Sequence, residues 1–475
     1  MRISLLLIFV LYCNSASMFA QKKTIQYDLN STFVFGTGKM TAFWGVSNKY
    51  GTISPDPNSA LLQTKLFTEF DTARNKKLDY ALGIDVINRL DNHYQLFFHQ
   101  YYLKLKYRFL TVQAGRMEEY IGNQDSTLSS GGLLWSSNAP PMPKVTIGII
   151  NYTPVPFTKG YLEIKGALTH GWFEKDAYVK HEWLHHKYIY IRVGGKLPVK
   201  AHFGYQHFVQ WGGTSPDAGK LPSSLNTYKV IFFATQYDSS HIPFGTPLDP
   251  EYSNRIGNHI GSRHFGLDID LKPVSISLYY QTIFEDASGL KWHNKSDGFW
   301  GVALKFRKID WLSGFVYEFL NTNDQSMSYA PDVAAGEPDD YFNHYIYLNG
   351  WSYDNMTIGT PLITSPALLK RMNIPDYNWG DYLRNNRVLA HHFGFKGNVH
   401  KTAYRILLTY TQNKGTYHIP FDYTKESVST YLELKRHFKK LFNTEVSVAI
   451  ATDFGEMYTN KSSFLFTLRK TGKLF

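Results

Sequence analysis

Across the last ninety or so residues, Asn386 to Phe475, five segments swap apolar for polar side chains at nearly every step. In Thr402–Tyr410, Tyr404, Ile406, Leu408 and Tyr410 share one face, while Arg405, Leu407 and Thr409 share the other. Ser427–His437 sets Val428, Leu432 and Leu434 against Tyr431, Glu433, Lys435 and His437. Val446, Val448 and Ile450 in Glu445–Ala451, and Phe464, Phe466 and Leu468 in Ser463–Arg469, repeat the pattern. A period of two places successive side chains on opposite faces of a strand. Both a soluble sandwich and a membrane barrel, apolar toward lipid and polar toward its lumen, satisfy that rule.

The connections separate the two. Residues 21–39 are weakly patterned, and Met40–Asn48 reads as the first of eighteen strands. Others follow near 60–71, 77–90, 94–107, 110–116, 144–151, 159–172, 186–195, 199–211, 260–271, 274–284, 298–306 and 311–321, then the five already described. Every second connection is short: Thr72–Lys76, Arg108–Phe109, Tyr152–Thr158, Lys196–Pro198, Lys272–Pro273, Arg307–Asp310, Lys396–Lys401 and Phe438–Leu441. Between them lie Met117–Pro143, Phe173–His185, Gly212–His259, Glu285–Asp297, Thr322–Asn385, Gln412–Glu426 and Phe454–Ser462, with Asp91–His93 the short exception. A sandwich has no reason to sort loops by length. A membrane barrel does, with tight turns at its periplasmic rim and long loops outside. The expectation is an all-β fold, a transmembrane antiparallel β-barrel of about 18 strands with both termini on the periplasmic side.

Membrane strands need about 9–11 residues each, so the barrel uses about 200 and leaves a large remainder for the outer loops. The longest lie near 117–143, 212–259 and 322–385. A barrel this wide has an aqueous lumen unless something fills it, and these loops are the natural plug or lid. Two carry helix signals. Ser365-Pro366 before Ala367–Met372 reads as a cap with proline in the first turn. Ser223–Phe233 has apolar residues at Leu225, Tyr228, Ile231 and Phe232, which fits a helical turn or two as well as a structured coil.

The chain opens with Met1-Arg2 and an apolar run from Ile3 to Tyr12, a signal peptide over residues 1–20 rather than a membrane helix. Residues 21–475 then form a single barrel domain. Tyr12 directly before Cys13 argues against a lipoprotein, and removing the signal removes the sole cysteine. No later run of about 18 apolar residues suggests a membrane helix. The mean hydropathy of −0.31 suits a barrel, in which only half of each strand is apolar. The formal charge of +11, on an exported chain, points away from nucleic acid and toward anionic outer-membrane lipid, lipopolysaccharide or an acidic polysaccharide.

Catalytic signatures are missing: no G-x-S-x-G elbow, HExxH, P-loop or cysteine nucleophile. Asp268 and Asp270 share a strand face about 7 Å apart, within the range of glycosidase pairs, and also read as ordinary lumen residues. His185-His186 and His391-His392 split across two faces, so they make poor metal ligands. No cofactor or metal is expected. The lumen carries mixed signs, from Arg192, Asp268, Asp270, Arg405, Glu433 and Lys435, that largely neutralise one another. Glycan-binding candidates are loop aromatics beside polar groups: Trp211, Trp292, Trp351, Tyr353, Tyr377 and Trp379, with Arg371 and Arg384. Flat rings suit the C–H faces of sugars, and guanidinium groups suit carboxylates.

Several strings, in order, resemble the Wzi-type capsule assembly family. They run TAFWGVSNKYGTIS, HQYYLKLKY, VQAGR and SSGGLLWSSNAPPMPKVTIG, then LTHGWF, LHHKYIYIRVGG and GYQHFVQWGG. The likeness is densest over Thr41–Gly213. It implies an eighteen-stranded outer-membrane barrel that acts as a lectin for capsular polysaccharide, without cutting or making it. It also implies a small periplasmic helical bundle, for which the segment before Met40 is short. The competing expectations are a porin or substrate-specific channel, and a hydrolase using Asp268 and Asp270.

Overall fold

The structure, a computed structural model, describes residues 23–71, 77–235, 255–327, 338–374 and 382–474. The signal segment lies outside them. Eighteen strands form one antiparallel sheet. They are β1 (Gln26–Gly36), β2 (Asn58–Phe67), β3 (Leu78–Leu90), β4 (Tyr94–Tyr107), β5 (Leu110–Arg116) and β6 (Pro143–Pro154). Next come β7 (Leu162–Trp172), β8 (Trp183–Val193), β9 (Val199–Trp211), β10 (Asn258–Asp270), β11 (Val274–Gln281) and β12 (Gly298–Phe306). The last six are β13 (Gly314–Asn321), β14 (Val388–Val399), β15 (Thr402–Gly415), β16 (Pro420–Phe438), β17 (Thr444–Gly455) and β18 (Lys461–Lys473). β1 pairs with β18 from Gln26↔Lys473 to Gly36↔Ser463, which closes the ring. No sheet edge remains to leave backbone groups unpaired in hydrocarbon.

The faces sort as the alternation requires. Ile406, Leu408, Leu432, Leu434, Ile450 and Phe464 stand exposed on the outside, while Leu407, Thr409, Tyr431, Ala449 and Ser463 are buried toward the lumen. The lumen ions pair: Arg192 with Glu163 at 2.6 Å, Arg405 with Glu433 at 3.1 Å and Lys435 with Glu445 at 3.7 Å.

Four expectations change. The first strand is Gln26–Gly36, not Met40–Asn48. In β1 the apolar outer residues Leu29, Phe33 and Phe35 are interrupted by Ser31, which blurs the pattern. Met40, Ala42, Phe43, Trp44 and Val46 make a largely apolar run, each of them is buried, and Phe43–Val46 closes a single helical turn, α1, inside the lumen. Second, Gln412–Glu426 is mostly strand, with only Thr416–Ile419 between β15 and β16. Third, the last strand runs beyond the Ser463–Arg469 segment read from the sequence, and β18 still pairs in register at Lys473; Phe475 lies outside the described residues. Fourth, no helix among the described residues exceeds the nine residues of Leu225–Phe233, so they contain no helical bundle.

Three long connections turn inward and fill the lumen, held by the polar half of each strand. α1 begins with Ala42 N donating to Ser463 Oγ and Phe43 N to Asp453 Oδ2, both at 2.9 Å. Wall side chains thereby satisfy amides that a helix start leaves open. Trp44 Nε1 donates to Thr409 Oγ1 at 2.9 Å. The 117–142 loop is tied to Glu318 on β13. Glu318 accepts from Ser130 N (2.7 Å), Ser130 Oγ (2.6 Å) and Tyr279 Oη (2.5 Å). Gly394 lets that loop approach the wall, because a Cβ there would lie 2.7 Å from the Leu128 carbonyl. The third connection stacks on the second through Ser136 N to Ile358 O (2.9 Å) and Thr360 N to Leu133 O (3.0 Å).

The two helix expectations hold. α2 (Leu225–Phe233) is capped by Ser224, whose side chain accepts from Thr227 N. It lies on the outer wall, where Ile231 packs with Val209, Trp211 and Ile256. α3 (Pro366–Arg371) starts at Ser365, but that hydroxyl accepts from Thr357 N instead of capping the helix.

Replacing Glu318 with Leu strands three donors, at about 1–3 kcal/mol each. The heated-gel transition of the purified barrel should fall and proteases should cut within 117–142. Asp270→Ala, at an exposed pair with Arg307, should leave both readouts unchanged.

Candidate functional site

The plug leaves a cavity at each end. The lower one, about 340 Å³, opens toward the short-turn end and is lined by four acidic residues (Asp28, Glu118, Glu433, Glu445) and four basic ones (Lys49, Lys65, Lys435, Arg469). Its charges pair across the wall, as with Arg469 and Asp28 at 2.6 Å. It is a wet, neutralised space.

The upper cavity differs in sign. It measures about 480 Å³ and is built within the 322–387 connection, inside the usual range for small-molecule pockets. A tight hairpin supplies its first wall. Ser352–Tyr353 pairs with Met356–Thr357 through Asp354 and Asn355, both at positive φ, a two-residue turn that asparagine and aspartate accept readily. Asn355 O accepts from Ala367 N at 3.0 Å and fixes α3 beside the hairpin. α3 then presents Lys370 and Arg371. Arg371 is clamped: Nη2 donates to Asp56 Oδ1 at 2.6 Å, Nε to the same oxygen at 3.0 Å, and Nη1 to Ala367 O at 3.0 Å. Tyr382 Oη donates to Asn355 Oδ1 at 2.9 Å, and Arg384 completes the wall. Pro366, Leu369 and Ile374 give an apolar floor. Among the described residues no acidic side chain lines this cavity.

Such a set binds in a defined way. Guanidinium and ammonium groups take carboxylates or phosphates, the asparagine amides and tyrosine hydroxyl take sugar hydroxyls, and the apolar floor takes C–H faces.

The eight residues singled out from the sequence divide among several environments. Arg371 and Arg384 line the upper cavity. Tyr377 and Trp379 lie outside the described residues, in the segment between the lining residues Ile374 and Tyr382. Trp351 is fully buried in the plug, where its Nε1 donates to Leu134 O at 2.8 Å. Tyr353 is buried beside it, and burial pushes its hydroxyl above the ordinary tyrosine range. Trp211 packs edge-on against Trp183 at 4.7 Å under α2. Trp292 carries the Arg263 guanidinium over its ring at 4.6 Å and neighbours Phe265, an outer-wall residue. Four of the six aromatics therefore pack the barrel or its plug. Lys370, Asn355, Asn373 and Tyr382 join the cavity without having been expected; the lysine beside Arg371 at the end of a signalled helix was the available clue.

The remaining chemical candidates are spoken for. Asp268 bonds His202 and accepts from Ser277 Oγ at 2.7 Å, while Asp270 pairs with Arg307 and accepts from Ser275 Oγ at 3.0 Å. His186 stacks on Phe208 in the lumen as His185 faces Tyr228 outside. His392 bonds Leu128 O inside as His391 meets Tyr317 Oη outside.

The family described as capsule assembly protein Wzi matches residues 31–363. The chain belongs to that family. Among solved structures it is similar to Wzi of Escherichia coli, described as a carbohydrate-binding β-barrel involved in group 1 capsule assembly. Their identity is 12%, with 93% of this chain and 84% of that one covered, at a TM-score of 0.58. Pseudomonas aeruginosa OpdL (9% identity, 96% and 99% covered, TM-score 0.48) and Acinetobacter baumannii OccAB2 (8%, 96% and 98%, 0.49) also align. No curated protein matches the chain. The barrel is thus an integral outer-membrane protein of a capsule assembly family.

Trp351→Phe separates packing from recognition. It leaves the Leu134 carbonyl without its donor, which should cost about 1–3 kcal/mol in unfolding experiments while polysaccharide binding stays unchanged. Reduced binding with undisturbed stability would place the ring at the binding surface.

Proposed function

We propose that this protein is a non-enzymatic lectin that holds an acidic capsular or other surface polysaccharide at the outer face of the outer membrane. The observation that carries this reading is the basic, hydroxyl-ready cavity at the long-loop end, floored by a packed plug. Residues 1–20 serve as the cleaved export signal, and 21–475 act as one barrel domain with the polysaccharide as its main partner. The apolar outer wall meets outer-membrane lipid and lipopolysaccharide.

The filled lumen weighs against the channel alternative. Trp44, Tyr341, Phe342, Trp351 and Ile363 are essentially inaccessible where a conducting path would run. The hydrolase alternative loses its pair, since each carboxylate is held by partners of its own and Asp270 sits at the short-turn rim.

Binding of an acidic capsular polysaccharide to the detergent-solubilised protein tests the reading. It should weaken as salt rises, because charge pairs at an exposed site are screened. Lys370→Glu, combined with Arg371→Gln, should lower affinity at least about ten-fold, or about 1.4 kcal/mol. Cells carrying that variant should shed polymer to the medium. Equal binding of a neutral polysaccharide, or affinity untouched by the double substitution, would refute the assignment. Planar-bilayer recordings should show no steady conductance from the intact chain; a stable open level would favour the channel.

A further inference from the structure

β4 changes phase in mid-strand. Tyr94, Leu96 and Phe98 are exposed on the outer wall, and then Tyr101, Leu103 and Leu105 are. The switch is a bulge: Asp85 pairs with Gln100 and Val86 with Phe98, leaving His99 out of the ladder. As a result His99 and Gln100 are both buried on the lumen side. Counted back from Tyr101, Leu103 and Leu105, strict alternation would send His99 to the lipid; the bulge keeps it on the lumen side beside Gln100. Bulges commonly re-aim a side chain next to a functional site.

His99 is aimed at two carboxylates. Asp85 faces it from β3, and Glu118 comes from the start of the 117–142 loop as it leaves the wall. One ligand atom from each of the three lies within 4.8 Å of the others, with His99 Nε2 at 3.0 Å from Glu118 Oε1. Asp85 and His99 are 0% and 1% exposed. Gln63 and Gln100 donate amides to Asp85 Oδ2 at 2.8 and 3.0 Å, yet Oδ1 meets no donor, and His99 Nδ1 has no partner either. Buried polar atoms are ordinarily paired, and a carboxylate oxygen left bare beside an imidazole needs an explanation.

We propose that Asp85, His99 and Glu118 bind a divalent transition-metal ion of the Zn²⁺ class, fastening the first residues of the plug loop to the barrel wall. One imidazole nitrogen and two carboxylate oxygens, without thiolate, suit such an ion. Three protein ligands leave a position for water. Gln63, Gln100 and Glu118 line the lower cavity, so the ion reaches the site from the short-turn end. Gln63 and Gln100 orient the Asp85 carboxylate from behind, as outer partners of metal ligands do. Gln100 Oε1 also accepts from Glu118 N at 3.1 Å, which holds the loop in position for binding.

The test titrates ZnCl₂ into the full-length, detergent-solubilised protein after EDTA stripping. One equivalent should bind and raise the heated-gel transition. His99→Gln and Glu118→Gln should each weaken uptake at least about ten-fold, as loss of even an outer partner does. Glu118 is on a loop and partly exposed, so its substitution leaves the barrel intact and isolates the ligand's role. Failure of the wild-type protein to take up one equivalent, or uptake that neither substitution weakens, would overturn the proposal and leave a plain His99–Glu118 hydrogen bond. Neither result bears on polysaccharide binding.

Discussion

Closure of β18 onto β1 is the constraint on which the rest depends. In hydrocarbon every backbone amide needs a partner within the protein, and only a ring of strands provides one without an edge. The eleven paired positions from Gln26↔Lys473 to Gly36↔Ser463 complete that ring. An eighteen-membered ring is too wide for its own side chains to fill. Inward-folded loops must therefore fill it, and the fold's second requirement follows from its first.

A plug made of loops brings its own unsatisfied backbone. The polar halves of the strands meet that demand: Asp453 and Ser463 receive the start of α1, Glu318 receives Ser130, and Gln281 Oε1 accepts from Leu133 N at 2.9 Å. The alternation that makes the outer wall apolar thus equips the inner wall to bind a polar plug. With the interior committed to packing, open cavities remain at the two ends. The lower cavity balances its charges, whereas Lys370, Arg371 and Arg384 line the upper one, which is where the proposed function would hold the polysaccharide.

Most of the fold was legible because period-two patterning and loop length report independently on the same topology. It failed where one of them was silent. Ser31 on the outer face of β1 hid that strand, and the largely apolar run around α1 imitated one. The bulge at His99 was invisible because a phase change reads as noise in a short segment. The binding surface was less legible for a different reason. Trp351-Ser352-Tyr353, two aromatics around a polar residue, reads like a sugar platform but is plug core, with Trp351 bonded to Leu134 and Ser352 paired with Thr357. Aromatics beside polar residues mark a packed loop as readily as a sugar platform. Arg371 and Arg384 do line the upper cavity, with Arg371 already paired to Asp56 at 2.6 Å.

Amide hydrogen exchange on the solubilised barrel, with and without an acidic capsular oligosaccharide, tests the central claim most directly. The account predicts added protection over residues 355–374 and 382–384, with the 117–142 plug slow to exchange in both states. Protection gathered instead at the lower cavity, around Lys435–Ser447, or a plug that exchanges as freely as the surface loops, would contradict it.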